Sequence, residues 1–368
     1  MRWVYCLGVV STLCVSALWA DADEESCVAF FGRKKTVDPD QESRVALLEC
    51  KMKAAHDDMA YDCRKGARFA SGRPGLDSYG FWAIGNVLYW TAYEGGTEIA
   101  YYAEPGIFSF PVPTKVKSVS FNWDVGYRVG AGWVSPHDNM EISALFTRVE
   151  PEGNFSMNAT APNTINGVIL PDILAATGGF AEWNVKYSVI DVEFARSYFL
   201  SRYFYMRPYF GSRTAWVMQS ADISFSGSAP VTAHLRNDFV GNGLRAGSDS
   251  KWFFARHWNF FLGASASALF GGFTVATGAH GGDIGDDDVK SSAYKIVPMA
   301  QMQMGLGWET SFACSSSQLA INVGYELNYL WRQNQLPVLE NLPSPVYGAR
   351  QSQDLAFHGL TVDVELAF

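Results

Sequence analysis

Charge is scarce in this sequence. Asp, Glu, Lys and Arg make up 18% of its 368 residues, against roughly a quarter in an ordinary soluble domain. Long apolar runs are scarcer still: beyond the first 22 residues no window approaches 18 uninterrupted apolar positions, so a bundle of spanning helices is not expected. Basic runs are missing and the net charge is −9, which argues against nucleic acid as a partner. Cysteine is sparse, with six residues and no C-x-x-C step or Cys/His cluster; neither a metal site nor a cofactor is expected. No G-x-S-x-G, H-E-x-x-H or phosphate-loop pattern occurs, and with them go the readiest enzymatic readings. What is plentiful is aromatic residues (25 Phe, 12 Trp, 17 Tyr) and 34 glycines.

Residues 1–22 combine Arg2, a mainly apolar stretch over 3–19 and the small-x-small step Ala20-Asp21-Ala22. This is the pattern of a secretory signal peptide. Cys6 and Cys14 would leave with it, and Cys27, Cys50, Cys63 and Cys314 would reach an oxidising compartment, where three pairings are open. Residues 23–78 are expected to form a short periplasmic segment. Within it Val45, Leu48, Met52, Ala55 and Met59 follow 3-4-3-4 spacing, one apolar stripe on a helix over 38–66. A straight helix holds Cys50 and Cys63 about 20 Å apart, too far to bridge each other.

From Tyr79 the pattern changes to period two. Over 117–133 one face carries Val119, Phe121, Trp123, Val125, Tyr127, Val129, Ala131 and Trp133, and the other carries Ser118, Ser120, Asn122, Asp124, Arg128 and glycines. Residues 318–332 and 294–310 repeat the design, and weaker versions fall near 80–91, 97–103, 139–149, 182–196, 202–218, 231–246 and 251–271. Near Val189 and Ile190 the phase slips, the mark of a bulge or of a mis-set strand boundary. Soluble sandwiches and membrane barrels both alternate, but sandwich strands are about 5–6 residues and spanning strands need roughly 9–11. Several of these runs pass that threshold. Trp133, Trp183, Trp216, Trp252, Trp308 and Trp331 lie near strand ends, where interfacial girdles belong. Lipid offers no backbone partners, so such a sheet has to close on itself.

Residues 79–368 are therefore expected to be an all-β, transmembrane antiparallel barrel. Eleven strand candidates and an even-number rule give about 12 strands, with 10–16 allowed. Long links at 150–180, 272–291 and 333–354 fall on the outside, and short ones at 135–138, 197–201, 248–250 and 314–317 on the periplasmic side. Loop 150–180 is the candidate for an inward-folded constriction.

The last residues, LAFHGLTVDVELAF, place Leu360, Val362, Val364 and Leu366 on one face and finish on Phe368. This resembles the terminal strand signal of bacterial outer-membrane proteins, which implies the barrel-assembly machinery as a partner. At 80–103, GFWAIGNVLYWTAYEGGTEIAYYA, with the step Leu88-Tyr89-Trp90 and the turn Glu94-Gly95, resembles the opening of the Legionella-type pore-forming outer-membrane family. That family is similar to the major outer-membrane porins of chlamydiae. The resemblance implies a porin in the outer membrane of a Gram-negative bacterium, embedded in outer-membrane lipid and able to form a homo-oligomer.

If the polar faces line a lumen, they carry Asp124, Arg128, Lys295, Glu309, Glu326, Asp363 and Glu365, together with Arg207, Arg213 and His257. A hydrated lining of mixed sign suits passive diffusion of small hydrophilic solutes and ions. The bland reading is that these side chains pair across strands and stiffen the wall. Two other classes stay open: an adhesin or structural envelope barrel using its loops, and, least expected, an enzyme built on His257 with Ser265 or Ser267. The run Asp286-Asp287-Asp288 lacks the alternating carboxylates of a calcium loop.

Overall fold

A computed structural model describes residues 48, 49, 52, 80–105, 111–135, 140–168, 176–201, 203–227, 230–255, 257–281, 287–311, 317–341, 345–350 and 352–368. Leu48, Glu49 and Met52 are helical. The leader, the rest of the 38–66 segment and Cys27, Cys50, Cys63 and Cys314 lie outside the described residues.

Ten strands close into one antiparallel barrel. In chain order they are Gly80–Glu94 (β1), Asp124–Val134 (β2), Met140–Val149 (β3), Gly178–Arg196 (β4), Phe204–Ser226 (β5), Val231–Phe253 (β6), Trp258–Gly281 (β7), Asp287–Ser311 (β8), Gln318–Asn334 (β9) and Gln353–Ala367 (β10). Each pairs with its sequence neighbours. Closure comes from β1 against β10, with Trp82 opposite Ala367 and Glu94 opposite Leu355. The seam leaves no open edge, as an apolar environment requires. Below, "lower" denotes the end where β1 begins and β10 finishes.

Ten lies within the expected 10–16 and below the central figure of 12, because the 97–103 run is not in the wall. After Glu94 the chain turns off at Gly96, whose φ of 76° needs no Cβ. Glu98–Pro105 then pairs with Pro111–Ser118 and Thr164–Gly167 in a small sheet at the upper end. At eight residues it is also shorter than a spanning strand. Two links move as well: β6 continues through 248–250 to Phe253, and β7 and β8 extend until only 282–286 separate them.

The phase slip at Val189 and Ile190 has a different cause from a bulge. The registers of β4 with β3 and with β5 run through it unbroken. What reverses is chemistry, not geometry. In the lower part of β4, Ile190, Val192 and Phe194 face outward and Asp191 and Glu193 face the lumen; in the upper part Glu182 and Lys186 face outward and Trp183, Val185, Tyr187 and Val189 are buried inside. β5 and β6 reverse likewise, with Phe210, Met218, Val240 and Leu244 exposed below and Asp222, His234 and Arg236 outward above. The lower outer wall therefore meets hydrocarbon, and the strands then rise beyond it into water. Along β7, Trp258 to Phe270 spans roughly 30 Å of height at about 3.3 Å per residue and a tilt near 40°, enough to cross a hydrocarbon core. Trp133, Trp252, Trp258 and Trp308 mark the lower rim, and Trp123, Trp216, Tyr294 and Trp331 stand toward the upper one. Trp183 leaves the predicted girdle, being buried inside the upper barrel.

Candidate functional site

The interior has two storeys. In the upper one, inward residues from opposite walls pack into a single apolar cluster that includes Trp90, Phe155, Trp183, Val217, Phe239, Phe273, Met299 and Phe357. Tyr187 on β4 lies against Phe357 on β10, their ring centroids 4.6 Å apart, so contact runs across the bore. Phe239 and Phe273 lie beside each other at the same spacing, their planes tilted by 35°; Gly241 lies under the Phe239 ring, where a Cβ would come within 2.4 Å of it. Ile99 and Ile165 of the small upper sheet join the cluster from above.

Among the described residues, one stretch of chain folds into the mouth. β9 leaves its register with β10 between Leu330 and Asn334, and Arg332 takes a φ of 57°, a conformation uncommon outside glycine. Gln333, Asn334, Gln335 and Leu336 are consequently buried. Asn237 Nδ2 donates to the Gln333 carbonyl at 3.0 Å, Asn334 Nδ2 donates to the Gly95 carbonyl at 2.9 Å, and Lys295 bonds Gln335. The inward segment therefore comes from the 333–354 loop. Loop 150–180, expected to constrict the bore, does so in its described residues through side chains: Glu152–Asn158 continues the wall beside β4 and Thr164–Gly167 joins the upper sheet, and Phe155 and Ile165 enter the cluster from them. Long-loop length carries no information about direction, whereas the left-handed residue at Arg332 supplies the turn inward.

The lower storey is ionic. Arg128 on β2 reaches Glu326 on β9 with two bonds of 2.7 and 3.1 Å, and its Nε donates to Thr147. Arg213 forks onto Asp191 at 2.6 and 2.7 Å. Arg207 bonds Glu141, Glu193 and Asp249, while Arg245 contacts Glu193 and Asp191. Gln301 on β8 joins these groups: its Nε2 donates to Glu326 at 2.7 Å and its Oε1 accepts from Arg213 at 2.8 Å and Arg245 at 2.9 Å. The result is one connected network bridging strands on opposite sides. Such fork geometry favours arginine over lysine. Next to it is a cavity of about 170 Å³ lined by Asn86, Arg207, Tyr209, Arg245, Asp249 and Asp363, among others.

Of the residues read from the sequence, Arg128, Arg207, Arg213, Glu309, Glu326 and Asp363 are buried and face the lumen. Glu365 faces it near the lower end, and Lys295 faces it near the mouth. Asp124 takes the inward side at the top of β2, where its Oδ2 accepts the Glu152 backbone N–H at 3.0 Å. His257 is not on the wall: it sits in the lower turn before β7 and its Nδ1 donates to the Glu309 carbonyl at 2.8 Å. Ser265 faces inward and accepts from Arg245 at 3.4 Å. Sequence reasoning missed Glu141, Asp191, Glu193, Arg245, Asp249, Lys251 and Gln301. Reading 189–190 as a bulge hid Asp191 and Glu193, and placing a turn at 248–250 hid Asp249 and Lys251. Strict alternation carried through both points would have found them.

The model of the Legionella pneumophila major outer membrane protein precursor family matches residues 79–368, which are the barrel and its approach. The chain belongs to that family. It is an outer-membrane protein with a transmembrane antiparallel β-barrel. Among solved structures, the outer membrane protease OmpT from Escherichia coli is similar over 80% of this chain and 99% of its own, with 9% identity and a TM-score of 0.39. A Pseudomonas aeruginosa FadL homologue covers 79% and 90% at 9% identity and a TM-score of 0.26. The toluene transporter TodX of Pseudomonas putida covers 79% and 89% at 11% identity, also at 0.26. At those scores none of the three carries an argument about activity. No curated protein sequence matches the chain.

Proposed function

We propose that this outer-membrane barrel is a pore of small conductance for hydrophilic solutes and ions, resting closed, and that it is not an enzyme. The observation that carries the reading is the charged lower storey, whose eleven-odd polar groups cost desolvation energy that a merely structural plug would avoid by using apolar side chains. A polar interior of this kind is what water-filled barrels carry, and plugged barrels share it. The closure consists of side chains and the short segment Gln333–Leu336, so opening requires rotamer changes and withdrawal of one loop rather than removal of a folded plug. With both barrel ends in the periplasm, that loop faces the outside. Terminal residues from Leu360 to Phe368 serve in this reading as the signal to the assembly machinery.

The alternative is a structural envelope barrel, and the wall-to-wall contact of Tyr187 with Phe357 favours it. Planar-bilayer recording separates the two. The pore reading expects small, infrequent steps from the folded chain and larger, longer openings when Gln333–Leu336 is replaced by Gly-Ser-Gly-Ser. Silence from both, with folding verified by heat-modifiable electrophoresis, would leave the structural reading standing.

A further inference from the structure

The outer wall above the apolar band holds a cluster that the pore does not use. On β5, β6 and β7 the register sets Asp222 opposite His234 and His280 opposite Thr232, so His280 lies diagonally across from His234 on the next strand. Asp222 and His234 are both well exposed. Asp222 Oδ1 is hydrogen-bonded to His234 Nδ1, and the His234 and His280 rings stand 6.3 Å apart between centroids. Glu182 is opposite Asp222 on β4, adding a second carboxylate to the same row.

We propose that His234 and His280 form a surface site for a divalent transition-metal ion of imidazole-binding character, Zn²⁺ or Cu²⁺, with Asp222 as its positioning residue. An imidazole centroid lies about 3.2 Å from an ion held by a metal–nitrogen bond of about 2.1 Å, so two rings on one ion stand roughly 5.2 Å apart at a tetrahedral angle and roughly 6.4 Å apart when trans. The observed 6.3 Å is close to the trans spacing of a tetragonal Cu²⁺ site, and the exposed His234 ring has to close by about 1 Å for the tetrahedral spacing of Zn²⁺. Asp222 holds the Nδ1 proton of His234, which leaves Nε2 with its lone pair outward; metal-bound histidines characteristically hand their second nitrogen to a carboxylate in this way. No group of three or more His, Cys, Asp or Glu side chains gathers as a metal site among the described residues. Water therefore fills the remaining positions, and the affinity is modest. Sequence spacing conceals the pair, because its two members come from different strands and only barrel registry brings them together.

The test is Zn²⁺ competition against a chromophoric indicator, using the whole chain refolded in detergent micelles, with Cu²⁺ electron paramagnetic resonance alongside. One equivalent of Zn²⁺ is expected, and Cu²⁺ should report two nitrogen ligands. His234→Ala and His280→Ala should each weaken binding at least tenfold, Asp222→Asn about tenfold or more, and His358→Gln, on the far wall, not at all. All four variants alter the outer surface, so folding is checked by heat-modifiable electrophoresis. Failure of the folded chain to take up Zn²⁺, or wild-type affinity in either alanine variant, overturns the assignment.

Discussion

Removing the charge of Glu326 measures how dry the lower storey is. Its side chain is fully buried and accepts from both arms of Arg128, from Gln301 Nε2 at 2.7 Å, from Asn328 Nδ2 at 3.0 Å and from Thr361 Oγ1 at 3.3 Å. Glu326→Gln keeps the shape but leaves the Arg128 guanidinium without its counter-charge. In a closed interior, breaking a buried pair by neutralising one partner costs about 3–5 kcal/mol. In a bore filled with mobile water the same pair is worth about 0–1 kcal/mol. Urea unfolding of the barrel in phospholipid vesicles, followed by tryptophan fluorescence, reads the difference. The closed resting state requires a loss near 3 kcal/mol or more. Arg128→Met combined with Glu326→Leu should recover most of it, because an apolar replacement of both members removes the stranded charge. A loss below about 1 kcal/mol for Glu326→Gln, or a double variant less stable than the single one, would refute the dry-network reasoning.

Gln301→Ala should cost about 1–3 kcal/mol, since Glu326 loses a donor while Arg213 and Arg245 lose an acceptor; its effect should fail to add to that of Glu326→Gln in a double-mutant cycle. Phe239→Ala, which empties a fully buried position in the upper cluster, should destabilise the barrel by about 3–5 kcal/mol in the same vesicle assay. Arginine scanning along the outer face locates the membrane boundary: Leu244→Arg, at a side chain 78% exposed in the apolar band, should cost about 2–4 kcal/mol, and Ser220→Arg, where the outer face has turned polar, close to zero. Equal penalties at the two sites would contradict the reversal of wall chemistry seen along β4 to β6.

Period two in the sequence told which side chains share a face, and strand length told which face meets lipid. Val125, Tyr127 and Val129 are accordingly exposed, and Arg128 is buried between them. That much follows from local geometry, because a strand throws successive side chains to opposite sides whatever surrounds it. The same rule says nothing about distance across the bore. Arg128 and Glu326 are 198 positions apart, and only the strand count and the closure of β1 on β10 bring them face to face. Nor does alternation announce where the membrane ends: the reversal at Ile190 looks like a slipped register until β3 and β5 show the register to be continuous. The sequence by itself determined a closed, lipid-facing barrel with polar residues inside. Tertiary structure alone decided that it has ten strands, that Gln333–Leu336 turns into its mouth and that its charges meet in one network, because pairing and closure depend on contacts between segments that no local pattern encodes.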